Sequence, residues 1–190
     1  MNKRIIFLTL ALLAISGLGF AQSNKKVLVL YYSYTGNTKL IAQEIQKKLG
    51  ASTVDLVEVQ PVVPYSSDYD KVVDQGHQEV NKGYEPKIKP LGVNIADYDV
   101  IVIGTPVWWY HVASPIKTLL SQNNWQGKTV FTYATNAGWI GKTFSDFETG
   151  LKGATIKSKM NILFGRRGSL DSIKTPQEEI DTWIDSIKNN

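Results

Sequence analysis

Residues Ser33-Tyr34-Thr35-Gly36-Asn37-Thr38 bring hydroxyls, an amide and one glycine together directly after the apolar run Val27–Tyr32 and just before a helical pattern that sets in near Leu40. The chemistry this arrangement offers is anion binding. The first turn of a helix has backbone N–H groups without intrahelical partners, and the helix dipole puts partial positive charge there. A phosphate accepts such bonds without any lysine or arginine in the loop. Ser33, Thr35 and Thr38 are candidate hydroxyl donors, and Gly36 permits close backbone approach or a positive φ. The loop matches neither G-x-x-x-x-G-K-[ST] nor G-x-G-x-x-G. The same residue types also build ordinary turns, where Asn37 or Thr38 would simply cap the helix.

Two further segments carry unusual residues. Gly104-Thr105-Pro106-Val107-Trp108-Trp109-Tyr110-His111 follows the apolar run Val100–Ile103. Three adjacent aromatics at a strand end cannot all face the core, and a ring turned toward a crevice would cover a flat conjugated ligand. Thr135-Asn136-Ala137-Gly138-Trp139-Ile140-Gly141 follows the run Thr129–Ala134. Its small residues let backbone N–H and C=O groups reach a ligand edge, and Trp139 is an odd residue for a plain turn.

The elements that would position these loops alternate. Val27–Tyr32 and Val100–Ile103 are continuous apolar runs, as in strands buried on both faces of a parallel sheet. Val54–Val59 carries Asp55 and Glu58 and reads as an edge strand. Thr129–Ala134 gives a fourth strand, and a fifth lies within Ile156–Phe164. Leu40, Ile41, Ile45 and Leu49 stripe one helix, which Gly50 ends. Tyr69, Val72, Val73 and Val80 recur at helical spacing. Ser114-Pro115 reads as a cap and first turn, Asp146 lies within a helix after the fourth strand, and Thr175–Glu178 fits a capping box. Ile180, Trp183, Ile184 and Ile187 then stripe a C-terminal helix. The expectation is an α/β three-layer sandwich on a parallel five-stranded sheet. In such sheets ligands sit outside the carboxyl ends of the strands, which puts all three loops at one edge. A phosphate cradle, an aromatic cover and a polar rim together suit a mononucleotide such as FMN.

At this point the chain resembles a family. Ser33–Thr38 looks like the flavodoxin phosphate loop [ST]-x-T-G-x-T. Thr105-Pro106-Val107-Trp108-Trp109 resembles the flavodoxin loop that sets an aromatic against the flavin. Thr135-Asn136-Ala137-Gly138-Trp139 stands where the third FMN loop falls. The likeness is best to the subgroup with a P-x-W-W segment and a proline-tyrosine segment, here Pro64-Tyr65, and it covers residues 25–190. It implies a flavodoxin-like sheet of order 2-1-3-4-5 with FMN held non-covalently. The phosphate would lie at Ser33, Tyr34, Thr35, Gly36, Asn37 and Thr38, with Trp108 or Trp109 at the ring. The family's third loop tends to be Ser/Gly-rich, whereas Asn136, Ala137 and Trp139 stand here. Tyr110 and His111 are candidates for shaping a substrate pocket.

The whole chain bounds the rest. Residues 1–21, with Lys3 and Arg4 before the apolar stretch Ile5–Ile15 and small residues up to Ala21, read as an export signal with a periplasmic or extracellular destination. Residues 22–190 would then form one domain with no membrane span. The formal charge of +4 falls to +2 once Lys3 and Arg4 are removed, which gives no argument for nucleic acid. There is no cysteine, so thiolate chemistry and disulfides are excluded, and His77 and His111 lack metal-ligand spacing. Arg166-Arg167 could meet a nicotinamide cofactor's phosphate or sit on the surface. The expected function is an exported FMN redox protein with unknown donor and acceptor. It would be an electron carrier or an oxidoreductase acting on quinone or nitro acceptors. Electron-carrier flavodoxins are typically acidic, and this mildly basic chain leans toward the oxidoreductase. The alternative is a non-catalytic module that uses the same crevice for another ligand or a protein partner.

Overall fold

The computed structural model describes residues 26–165 and 172–190. The segment read as an export signal and Arg166-Arg167 lie outside the described residues. The elements run β1 (Val27–Tyr31), α1 (Asn37–Leu49), β2 (Val54–Glu58), α2 (Tyr69–Lys82), β3 (Val100–Trp108), β4 (His111–Val112), α3 (Ser114–Gln122), β5 (Thr129–Asn136), α4 (Thr143–Gly150), β6 (Thr155–Leu163) and α5 (Gln177–Lys188).

Strand alternation divides the core between the two faces of the sheet. Val27, Val29 and Tyr31 of β1 pack with Ile41 and Ile45 of α1 and with Ile180, Trp183, Ile184 and Ile187 of α5. Leu28, Leu30 and Tyr32 point the other way, into a cluster with Ile116 and Leu119 of α3 and Phe147 of α4. β1 and the first part of β3, Val100–Ile103, are continuously apolar because both of their faces are covered.

Five parallel strands lie in the order β2-β1-β3-β5-β6. This is the expected 2-1-3-4-5 order once the short β4 is set apart, and the charged second strand does lie at an edge. The sheet has a sixth strand that the sequence reading lacked: β3 runs on to Trp108, and β4 returns against it with Val107 facing Val112 and Trp108 facing His111. The sequence reading placed Gly104–His111 in a loop, yet β3 passes through Pro106. Its missing N–H costs nothing there, because the β1 ladder ends opposite Gly104 while β5 continues to Pro106.

Two helix starts also differ. Ala113 rather than Ser114 is the residue before α3. The capping box at Thr175 does not form: Pro176 precedes α5, and the Thr175 hydroxyl accepts the Leu163 amide at 2.8 Å instead. The end of β6 outcompetes the helix for that oxygen. Among the described residues no helix is long and apolar enough to cross a membrane.

Candidate functional site

The three loops meet at the carboxyl end of the sheet and border a cleft of about 710 Å³, within the usual range of small-molecule sites. Ten expected residues line it: Tyr34, Thr35, Asn37, Pro106, Val107, Trp108, Trp109, Thr135, Asn136 and Ala137.

At one end α1 begins at Asn37. Gly36 precedes it at φ +95° and has no side chain to cap the helix, Ser33 Oγ takes only the Lys39 amide, and the first turn carries no acid. Open space surrounds the position a Gly36 Cβ would take, so the glycine is required by conformation, not by crowding. α2 differs: its Asp68 carboxylate already accepts the amides of Asp70 and Lys71. The α1 terminus is therefore the one that suits an external anion. Among the described residues no charged side chain lines the cleft, and those residues offer an anion amides, hydroxyls and the helix dipole.

The other expected loop residues do structural work around this end. Ser33 Oγ accepts the Lys39 amide at 3.2 Å. Thr38 is buried, and its Oγ1 lies 2.8 Å from Thr135 Oγ1, while its carbonyl accepts the Tyr133 hydroxyl at 2.9 Å. Thr38 thus ties the loop to β5, and its hydroxyl does not line the cleft. Tyr34 donates its hydroxyl to Ser66 O at 2.8 Å, fastening the loop to the segment before α2. Burial pushes the Tyr31 hydroxyl beneath this end up to about 12, and Glu58 adds to it.

The opposite wall is the β3–β4 hairpin. Thr105 Oγ1, buried, accepts the Ala113 amide at 3.0 Å and donates to the Pro106 carbonyl. Trp108 meets Tyr65 and Tyr32 edge-on at 5.0 and 5.5 Å. Tyr65 donates to the buried carboxylate of Glu79 at 2.7 Å, and burial with that bond raises the Tyr65 hydroxyl far above its usual value. The two-residue turn is Trp109-Tyr110, at φ +48° and +69°. Such turns normally take glycine or asparagine, and a bulky residue in the left-handed region costs about 1–2 kcal/mol. Trp109 is offset by contacts with α2: its Nε1 donates to Val73 O at 2.8 Å, and its ring lies 4.1 Å from His77. Trp109 is 40% exposed at the cleft.

At the third loop, Asn136 accepts the Gly138 amide at 2.9 Å and donates to Asn161 at 2.6 Å. Gly138 and Trp139 fall outside the cleft lining, and Trp139 is 76% exposed. The sequence reading missed Tyr69, Val72, Val73 and Gly76 of α2, and Phe164 and Gly165 after β6, all of which line the cleft. Gly76 was the available signal. A helix-interior glycine is disfavoured by about 1 kcal/mol, and here a Cβ would come within 3.2 Å of the Trp108 ring.

A helix terminus with no acid in its first turn, a lining without charge among the described residues and an aromatic wall fit a phosphomonoester that carries a flat ring system. The comparisons with known proteins agree. The family model described as Flavodoxin matches residues 26–187. A flavoprotein from Lactobacillus acidophilus NCFM, solved in complex with FMN, is 28% identical with a TM-score of 0.64, covering 84% of this chain and 98% of that one. A crystal structure from Bacteroides eggerthii DSM 20697 is 30% identical with a TM-score of 0.66, covering 86% and 98%. The NAD(P)H dehydrogenase (quinone) 3 of Rhizobium meliloti (strain 1021) is 36% identical over 103 residues, which is 51% of this chain and 43% of that protein. The chain therefore spans less than half the length of that relative.

Proposed function

The chain belongs to the flavodoxin family, and we propose that it holds FMN non-covalently in this cleft and acts as an oxidoreductase on small quinone-type acceptors. The observation that carries the reading is one cleft, without charge among the described residues, that joins the N-terminus of α1 to the aromatic hairpin. Thr35, Asn37 and the first-turn amides of α1 hold the phosphate. Trp109 and Trp108 wall the ring and exclude water, and the backbone of Thr135–Ala137 faces its polar edge. When bound, FMN supplies hydride or electron transfer, and the protein contributes position and electrostatics. The acceptor class is supported by the name of the Rhizobium relative. Export, read from residues 1–21, belongs to the same proposal, as does uptake of flavin outside the cytoplasm; cell fractionation tests both.

Titration of the purified chain with FMN and with riboflavin tests the cofactor. Wild-type protein develops a bound-flavin spectrum, and Thr35→Ala binds FMN about tenfold more weakly while riboflavin is unchanged. A colourless protein that takes up neither flavin overturns the reading and favours the non-catalytic module. Quinone-dependent NADH or NADPH oxidation by the loaded protein then separates an oxidoreductase from an electron carrier.

A further inference from the structure

Asp146 lies on α4, outside the cleft lining, beside a second cavity of about 580 Å³. Its Oδ2 makes two contacts with the hairpin: it accepts the Val112 amide at 3.1 Å and faces His111 Nδ1 at 2.9 Å. β4 is only two residues long and pairs on one side with β3. The carboxylate serves its outer side, where a further strand would otherwise be needed. An ionised carboxylate only accepts, so the His111 proton sits on Nδ1.

The turn that these contacts stabilise is the strained one. Neither Trp109 nor Tyr110 is suited to its positive φ, so the conformation persists only if the surroundings over-determine it. Three elements supply that determination. α2 holds the Trp109 indole through Val73 and His77. The loop before α4 holds the backbone, with the Lys142 amide on the Tyr110 carbonyl at 2.6 Å and Gly141 too close to Tyr110 to carry a Cβ. Asp146 fixes the strand on which the turn closes.

We propose that Asp146 is a positioning residue for the cleft: through His111 and the Val112 amide it sets the Trp109–Tyr110 turn and hence the ring wall. This rests on the FMN reading of the cleft. Because the phosphate end is untouched, the effect must fall on ring binding alone.

The test uses the full chain with Asp146→Ala, Asp146→Asn and His111→Phe. The Ala variant is expected to lose about tenfold in affinity for FMN and riboflavin alike, unlike Thr35→Ala, which discriminates between them. The Asn variant keeps a carbonyl for the Val112 amide and recovers most of the loss. In flavin-free protein, Asp146→Ala weakens the near-ultraviolet circular dichroism of the tryptophans while far-ultraviolet signal is retained. Wild-type affinity in Asp146→Ala, a loss confined to FMN, an Asn variant no better than Ala, or an unchanged near-ultraviolet spectrum would each overturn the proposal. Should Asp146→Ala fail to fold, His111→Phe, which removes one of the two contacts, carries the same comparison. If wild-type protein binds neither flavin, the FMN reading alone fails, and the flavin-free spectra still decide the role of Asp146.

Discussion

At the β1–α1 end the cleft presents a helix terminus flanked by Thr35 and Asn37, whereas at the β3–β4 end it presents the aromatic rings of Trp108 and Trp109. The first end needs one conformation, Gly36 at φ +95°, and glycine takes it without strain. The second holds Trp109 and Tyr110 in the left-handed region and depends on partners from α2, α4 and the loop before α4. A site for a small anion can be assembled from amides already oriented by a helix. A site for a wide ring needs large rigid surfaces, and placing them where the chain turns costs conformational energy that remote contacts must offset.

The contrast can be broken or sharpened by experiment. The largest effect is expected from alkali, because tyrosines underlie both ends. Burial raises Tyr31 to about 12 at the phosphate end; away from the cleft, at the amino ends of the strands, the Asp55 hydrogen bond, with burial, raises Tyr98 to about 12. Burial likewise raises Tyr32, Tyr65 and Tyr133. The unfolded value is about 10, so the folded state binds more protons between about pH 10 and 12, and stability falls as pH rises through that window. Urea midpoints at pH 9 and 11 measure the drop, and Tyr98→Phe makes it shallower. A midpoint that holds steady across the window would contradict the assignment.

Next in size is the buried hydroxyl pair under the phosphate end. Thr38→Val leaves Thr135 Oγ1 without its partner and costs about 1–3 kcal/mol, while Thr38→Val with Thr135→Val recovers most of it. Denaturant unfolding of the four proteins gives the coupling; strictly additive losses would show that the pair contributes nothing.

The smallest effect carries the opposite sign. Tyr110→Asn relieves a left-handed conformation at a half-exposed site and is expected to raise stability by about 1 kcal/mol. By contrast, Gly36→Ala at the other end lowers it. If Tyr110→Asn destabilises, then the tyrosine makes contacts that outweigh its strain.

The same contrast explains what the sequence made legible. The β1–α1 end was readable because its chemistry is local: an apolar strand, a hydroxyl-bearing loop with one glycine, and a helix stripe of Ile41 and Ile45 lie within twenty residues. The parallel sheet followed from runs such as Val100–Ile103 for similar reasons. The ring end was readable in its residue types but not in its geometry. Nothing near Trp109 announces that Val73 and His77 will hold it. The continuation of β3 through Pro106 was not legible, because the proline's tolerance there depends on where β1 ends, a fact of the sheet and not of the segment. Thr38 looked like a ligand hydroxyl, but its partner stands on β5.

That last contact also bears on the order in which the molecule is made. Thr38 and Thr135 are 97 positions apart in the chain. A pairing so distant closes late, after local helices have formed and the slower alignment of non-neighbouring strands has been completed. A nascent chain that has emerged only through α3 contains the residues of α1 but lacks the strand that anchors them. The anion end of the cleft is thus a record of finished assembly: it becomes competent when β5 has taken its place beside β3, and not before.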